Sequence, residues 1–325
     1  MNALFVTVRA IHFASAMLLF GELVFVLCVA KPIWRRAGNA ILDVNDVSRW
    51  PLRIAVWGLV ASIASGVAWL AIEAAVMSGK PLEQALNRTT VALVLGETLF
   101  GRVWLLRAAV GIGLGALLTA IIMARDDSRR SRLTMGAAVL AGVYLATLAW
   151  AGHAAAGPPE ERSLHLTSDV VHLLAAGAWL GALPGLAFVL GRAQRISNVP
   201  SFDTAADVTR RFSALGVVSV GALLLSGLAN TWYLVGDVPA LVGTDYGRLL
   251  LAKLALFAAM ITLALVNRLR LTPRLHTHDR AALRGLRRNA LLEAAAGLLY
   301  CRSSAFLASR FPRRIRRPSG RSLTR

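Results

Sequence analysis

The sequence contains two histidines and an aspartate whose spacing brings them to one face of a helix. In the run HLTSDVVH, His165, Asp169 and His172 stand at positions i, i+4 and i+7, and on a helix the second and third fall within about 40° of the first. Imidazole nitrogen binds copper or zinc well, and a carboxylate can bind the metal or orient an imidazole. The pattern therefore predicts a metal or cofactor site. The alternative is a hydrogen-bonded helix start with Ser163 or Thr167 as the N-cap.

Three more residues belong to the candidate set. His12 lies in an apolar segment, IHFASAMLLFG, that resembles VHLLAAGAWLG around His172, and a glycine follows each of these histidines by nine residues. His153 precedes His165 by twelve residues, and Met77 offers a thioether sulfur, which suits Cu(I). The predicted metal ligands are His12, Met77, His153, His165, Asp169 and His172.

The composition is typical of a membrane protein. Of 325 residues, 56% are hydrophobic and 16% are charged, whereas a soluble chain carries about 25% charged residues. Only two cysteines are present, which excludes a disulfide scaffold and a CxxC metal motif. The chain has no phosphate-binding loop, HExxH or GxSxG motif, so we do not expect an enzyme.

Several segments are long and apolar enough to cross a bilayer, which takes about 20 residues. An eighth begins near Ala290, but only about a dozen apolar residues precede Arg302, too few to span. We therefore predict an all-α polytopic membrane helix bundle with seven clear transmembrane helices and a doubtful eighth. The first segment lacks the features of a cleaved signal peptide and is expected to be a retained helix. The seven clear segments are 3–30, 54–77, 102–123, 133–151, 170–190, 212–235 and 248–267.

Most of the basic residues behind the net charge of +19 lie in loops that indicate how the chain is oriented in the membrane. Of the 36 lysines and arginines, 20 lie in the alternate loops 31–53, 124–132, 191–211 and 268–289, while the loop 152–169 has only Arg162. Positive loops stay in the cytoplasm, so we expect a multi-pass inner-membrane protein with a periplasmic N-terminus. The four histidines of the candidate set then lie on the periplasmic side. No basic face with interleaved aromatic residues emerges, so no nucleic-acid partner is expected.

The chain also repeats itself. Beyond the two histidine segments, Ser65-Gly66 corresponds to Ser226-Gly227, and TLFGRVWLLR (98–107) corresponds to TDYGRLLLAK (244–253). The order of the three matches is kept. We therefore predict two parallel four-helix repeats, related by an axis along the membrane normal, with halves 1–151 and 152–300 and an atypical basic tail 301–325.

The acid of the first segment, Glu22, is expensive to place in a membrane. It either serves ion passage or pairs with a cation such as Arg107 or Lys253 on another segment.

The stretch GHAAAGPPEERSLHLTSDVVHLLAAGAWLGAL (152–183), with TDYGRLLLAK and RNALLEAAAGLL (288–299), resembles the CopD/PcoD family of bacterial copper-resistance membrane proteins. The resemblance covers roughly residues 3–299. It implies an eight-helix inner-membrane protein that moves copper between periplasm and cytoplasm, often beside a small periplasmic copper carrier of the CopC type. It also implies site roles for His153, His165, Asp169 and His172, whereas His12 is added by the internal repeat.

Two questions stay open at this point. The tail after Leu299 is either an altered C-terminal end or a genuine short or re-entrant segment whose arginines bind anionic lipid. The expected function is copper transport from an outer histidine cluster towards the cytoplasm. The alternatives are a membrane electron carrier with haem held by His12 and His172, and a copper-binding assembly or sensing module without transport.

Overall fold

The protein is a bundle of long helices. The computed structural model describes residues 2–33, 44–151, 159–196, 198–235 and 245–310, and within these ranges all regular secondary structure is helical. Shorter helical pieces extend or connect the long helices: Phe25–Ala30, Leu82–Ala85, Arg88–Glu97, Thr147–Ala151, Asn267–Leu271, Thr272–Arg274 and Leu275–Thr277. The long helices are α1 (Asn2–Val24), α2 (Val44–Ser78), α3 (Leu99–Met123), α4 (Asp127–Ala146), α5 (Pro159–Leu180), α6 (Leu183–Ile196), α7 (Val199–Val235), α8 (Asp245–Val266) and α9 (Arg280–Arg310).

Seven helices of the described chain are long and apolar enough to cross a membrane, which confirms the predicted all-α polytopic bundle. Only helices and closed barrels satisfy every backbone polar group inside lipid. Apolar runs of about 20 residues have the length of a membrane-spanning helix. In the fifth span, α5 and α6 follow each other with a short turn between them. The seven spans are Ala3–Ile33, Arg49–Ser78, Leu99–Met123, Asp127–Trp150, Ser163–Ile196, Val199–Asn230 and Gly247–Thr277.

Most helices extend beyond the apolar runs that predict them. The loop 191–211, expected from its arginines, is largely helix, because α6 continues to Ile196 and α7 begins at Val199. Charged side chains at a helix end can reach water while the backbone hydrogen bonds continue. The new starts are capped: Asn198 accepts a hydrogen bond from Ser201 N–H at 3.0 Å.

The start of α4 shows the same device. Asp126 accepts hydrogen bonds from the Ser128 hydroxyl and from the backbone N–H groups of Ser128 and Arg129. These bonds hold the pKa of Asp126 below its ordinary value. The cap places the first turn of α4 six residues before the apolar run that predicts this helix.

The interpretation of Ser163 or Thr167 as a helix cap is wrong. Helix α5 begins at Pro159, so both residues lie inside it, and the Thr167 hydroxyl donates to the Ser163 carbonyl at 2.8 Å. The histidines of this segment are therefore carried by a formed helix rather than by its first turn.

The doubtful eighth segment forms the 31-residue helix α9, which continues past Arg302, although it is not among the seven apolar spans. Its inner face is buried at Leu283, Leu286 and Ala290, and it packs against α1 and α6. Hydropathy alone missed this length because several arginines of α9 are exposed and two further polar side chains, Asn289 and Glu293, are buried and bonded to Asn267. Of the tail predicted from residue 301, residues 311–325 lie outside the described part of the chain.

Helices α1 and α5, which carry the two repeat-related histidines, cross through glycine. A Cβ atom at Gly21 would lie 2.5 Å from the Gly181 Cα, and one at Gly181 would lie 2.7 Å from the Met17 carbonyl carbon. The two backbones therefore touch without an intervening side chain. The division into halves at 151/152 stays a prediction.

The crossing sets the level of the histidines. His12 and His172 each precede their glycine by nine residues, which is about 13 Å along a helix axis. The first and fifth spans of a multi-pass bundle run in the same direction, so both histidines lie on the same side of the crossing.

Candidate functional site

His12 is buried and both of its ring nitrogens have polar contacts. Nδ1 lies 2.9 Å from the Ser62 carbonyl oxygen and 3.0 Å from the Ser65 hydroxyl, both on α2. Nε2 lies 2.8 Å from a guanidinium nitrogen of Arg107 on α3. The ring also meets the edge of Trp69, with centroids 5.4 Å apart.

These contacts determine the tautomer of His12. A guanidinium has no acceptor atom, so Arg107 donates and Nε2 accepts through its lone pair. Nδ1 then carries the proton and donates it to the Ser62 carbonyl. A copper ion could take Nε2 only after Arg107 moves away, so His12 is latched rather than open.

Arg107 is a buried cation that the backbone of α4 holds in place. Its guanidinium donates to the Tyr144 carbonyl oxygen at 2.6 Å and to the Thr147 hydroxyl at 2.7 Å, and it lies over the Tyr144 ring at 4.1 Å. Charged groups within a membrane bundle are expensive unless they are paired in this way. Arg107 therefore joins α1, α3 and α4 around the imidazole.

The second histidine has a related environment with one difference. His172 is half-buried on α5, and its Nδ1 lies 3.0 Å from the Ser226 hydroxyl of α7. Ser226 and Ser65 are the serines of the repeat, and each lies next to a glycine that faces the imidazole: Gly227 and Gly66. Where the first half has Arg107, the second half has Lys253, which lies within electrostatic range of His172.

The serine also determines the tautomer of His172. The Ser226 hydroxyl donates its proton to the Ala222 carbonyl at 2.6 Å, so its oxygen accepts from His172 Nδ1. Nε2 of His172 then carries the lone pair. An imidazole whose Nδ1 is held by a hydrogen bond, with its Nε2 lone pair turned to a metal, is the usual form of a histidine ligand.

Asp169 and His165 lie on the same helix as His172. Asp169 accepts a hydrogen bond from the Asn230 side chain of α7 at 2.7 Å, and it interacts electrostatically with His165, which is buried. The Ser168 hydroxyl donates to the Ser226 carbonyl at 3.0 Å. The polar face of α5 is thus joined to α7 over little more than one turn.

The structure does not gather all six predicted ligands. Met77, at the end of α2, is 38% exposed, and His153 lies outside the described residues. Within the described ranges, no three side chains of histidine, cysteine, aspartate or glutamate come close enough together to hold a metal ion. The histidines of the two halves are therefore two separate places rather than one assembled cage.

Glu22 does not pair with Arg107 or Lys253 by a hydrogen bond. It is fully buried, and one carboxylate oxygen accepts from the Gly185 N–H in the first turn of α6 at 2.8 Å. The other oxygen has no hydrogen-bond partner in the described part of the protein. The free N–H groups of a helix start suit an acid, and here they come from the break between α5 and α6.

Sequence reasoning found the histidines but missed their partners. The Ser-Gly pairs and the cations at 107 and 253 were visible as repeat matches, yet nothing in the sequence assigned them to the imidazoles. A signal was present: within each half, one histidine, one Ser-Gly pair and one cation keep their order.

The fold and this arrangement define a multi-pass membrane protein with two serine-held histidines, His12 on α1 and His172 on α5. The N-terminal domain of copper resistance protein D-like proteins matches residues 1–161, and copper resistance protein D matches residues 206–307. The chain belongs to the copper resistance protein D family, as its sequence motifs predict.

Three relatives are about a third identical to this chain over the residues that align. Copper resistance protein D of Pseudomonas syringae pv. tomato is 32% identical over 96% of this chain and 97% of its own length. Inner membrane protein YebZ of Escherichia coli is 32% identical over 85% of this chain and 88% of its own. Copper transport protein CutJ of Bacillus subtilis is 31% identical over 53% of this chain and 31% of its own. No solved structure matches the chain.

Proposed function

We propose that this protein moves copper across the bacterial inner membrane, with capture at His172 on the periplasmic side. The observation that carries the proposal is the geometry of His172: Ser226 holds Nδ1, and the lone pair of Nε2 is the one that can bind copper. His165 and Asp169 on the same helix face are the further ligand candidates. The names of two relatives, copper resistance protein D and copper transport protein CutJ, support copper as the cargo.

His12 has a different role in this proposal. Its Nε2 is held by Arg107 at 2.8 Å, so copper reaches His12 only when the guanidinium moves. We assign Arg107 as a latch that keeps the first half closed until copper arrives from the second half. The tight crossing at Gly21 and Gly181 joins the two helices that carry the histidines, so movement of one affects the other.

The direction is proposed from the charge pattern. The four arginine-rich loops face the cytoplasm by the positive-inside rule, which places the histidine level near the periplasm, and the name of inner membrane protein YebZ supports the compartment. A small periplasmic carrier of the CopC type is the proposed copper donor. The chain acts without an enzymatic reaction, following the copper gradient, the membrane potential or the donor.

The haem alternative is less favoured by the same contacts. Axial ligation of one haem by His12 and His172 needs a lone pair from each ring turned to a shared iron. Arg107 takes that lone pair of His12. A pyridine-haemochrome spectrum of the purified protein tests this, and we expect no stoichiometric haem signal.

Cellular copper content tests the proposal. Cells grown in copper and expressing wild type, His172→Ala or His276→Ala are compared by mass spectrometry. His276 is an exposed histidine in the short helical turn Leu275–Thr277 at the end of the seventh span, which makes it the matched control. We expect cell copper to rise with wild type and His276→Ala, and to fall to the level of empty-vector cells with His172→Ala.

Two results would contradict the proposal. Equal copper in all strains at equal protein levels would contradict the proposal that this protein imports copper. Equal loss with His172→Ala and His276→Ala would remove His172 as the capture residue.

A further inference from the structure

Two sulfur atoms from opposite ends of the chain meet inside the bundle. The Cys301 Sγ of α9 lies 3.8 Å from the Met17 Sδ of α1, and both side chains are buried. The other cysteine, Cys28, is exposed. The two sulfurs are separated by 284 positions in the sequence, so only the packing of α9 on α1 brings them together.

The place of this pair relative to the histidines is informative. Met17 follows His12 by five residues, about 7.5 Å further along α1, on the way to the Gly21 crossing. Cys301 is within electrostatic range of Lys253, and Lys253 is within the same range of His172. The sulfur pair therefore lies deeper in the bundle than His12, and it lies close to Lys253.

The chemistry of the pair selects one class of ion. A thiolate and a thioether are soft ligands, which suit Cu(I) rather than hard divalent cations. Metal–thiolate bonds are about 2.3 Å long, so two sulfurs at 3.8 Å can share one ion with a bond angle of about 110°. Little movement of the helices is needed for such binding.

The charge balance also fits the membrane interior. In the structure the thiol donates to the thioether. When Cu(I) binds, the S–H bond breaks, the proton is released to water, and the thiolate bonds the ion in its place. One Cu(I) with one thiolate and one neutral thioether carries no net charge, which is the state that a bundle interior accommodates at least cost.

We propose that Met17 and Cys301 form a Cu(I) site, which is the second binding site that copper reaches after the histidines. The assignment deepens the proposed function, since it names where copper goes next. It also explains why the helix that hydropathy left in doubt completes the bundle, because α9 supplies one of the two ligands.

Cu(I) binding to the purified full-length protein in detergent tests the site. The probe is Cu(I) alone, buffered by a competing chelator under reducing conditions, with X-ray absorption at the copper edge as readout. We expect a shell of two sulfur neighbours at about 2.3 Å. Cys301→Ser and Met17→Leu should each remove one sulfur neighbour and weaken binding at least about tenfold, since losing even an outer-shell partner costs that much.

The chain offers a matched control for each variant. Cys28→Ser removes the exposed cysteine, and Met260→Leu changes a methionine that is buried elsewhere; neither should change the sulfur shell. Leucine and methionine have similar volumes, so Met17→Leu decides the question if Cys301→Ser does not elute as a folded protein. An unchanged sulfur shell in Met17→Leu, or its loss in Cys28→Ser, overturns the site.

Failure of this site and failure of the proposed function give different results. A missing sulfur shell, while His172→Ala still lowers cell copper, overturns the sulfur site and leaves copper import in place. A sulfur shell that is present, while no variant changes cell copper, supports the site and removes import.

Discussion

Replacing Gly21 by alanine should separate the helices that carry the two histidines. The added Cβ would lie 2.5 Å from the Gly181 Cα, whereas carbon atoms pack at about 3.5–4.0 Å. The contact is too short by about 1 Å, and the atom that it meets is backbone, which cannot rotate away. Overpacking of this kind costs about 1–3 kcal/mol. Helices α1 and α5 must therefore move apart by about 1 Å, or the protein loses stability.

Thermal unfolding of the detergent-solubilised protein, followed by size-exclusion chromatography after heating, measures this effect. The matched control is Gly136→Ala on α4, where a Cβ would meet nothing within 4 Å. Alanine is about 1 kcal/mol better than glycine inside a helix, so the control should keep or raise the unfolding temperature. Gly21→Ala should lower both this temperature and copper uptake.

The outcome that would refute this reasoning is specific. If Gly21→Ala unfolds at the wild-type temperature while Gly136→Ala behaves as expected, the two backbones do not touch at this crossing. The coupling proposed between His172 and His12 would then lose its structural basis.

Three further predictions concern the other polar groups of the bundle. Arg107→Met should lower stability by about 1–3 kcal/mol, because it leaves Nε2 of the buried His12 without its hydrogen-bond donor. It should also raise copper binding at His12, measured by Cu–N scattering, and a Cu–N shell unchanged from wild type would contradict the latch. Glu22→Gln keeps an acceptor for the Gly185 N–H and should unfold close to wild type, whereas Glu22→Ala should cost about 1–3 kcal/mol, and equal unfolding temperatures would argue against that contact. Asp126→Ala should lower the unfolding temperature at neutral pH, and the difference from wild type should shrink as the pH falls through the lowered folded-state pKa of Asp126. A carboxyl with a depressed pKa stabilises the fold at pH above its unfolded-state pKa, and this stabilisation is lost when the carboxyl is protonated. A difference that persists in acid would contradict the charged cap.

Much of the fold follows from the chain because the bilayer permits few alternatives. Apolar length predicts the seven spans, and alternating arginine loops predict their orientation. The helix ends are less predictable: caps such as Asn198 and Asp126 start helices earlier than hydropathy indicates. The extent of α9 escaped prediction because its exposed arginines and its buried Asn289 and Glu293 lower its hydropathy, although packing on α1 and α6 stabilises it.

The metal ligands named from the sequence stay a prediction, whereas the hydrogen-bond partners of the histidines come from the structure. The i, i+4, i+7 spacing of α5 correctly places His172 and Asp169 on a face that meets α7. By contrast, the bond from Arg107 to His12 joins residues 95 positions apart, and it exists because α1, α2, α3 and α4 pack around one imidazole. No local pattern encodes such a contact. The same holds for Met17, which sequence reasoning would assign to packing until Cys301 is placed beside it.

The difference between the two halves has a mechanistic consequence. Each half holds the Nδ1 of its histidine with a serine, so each presents a lone pair on Nε2. In the first half an arginine, anchored to Tyr144 and Thr147, occupies that lone pair. In the second half the equivalent cation is Lys253, which lies over the Tyr300 ring of α9 at 5.4 Å. Because a lysine is a flexible point charge and an arginine a rigid fork, we infer that the Nε2 lone pair of His172 is more accessible to copper than that of His12. Exchanging the cations, Arg107→Lys with Lys253→Arg, should therefore move copper capture from His172 towards His12.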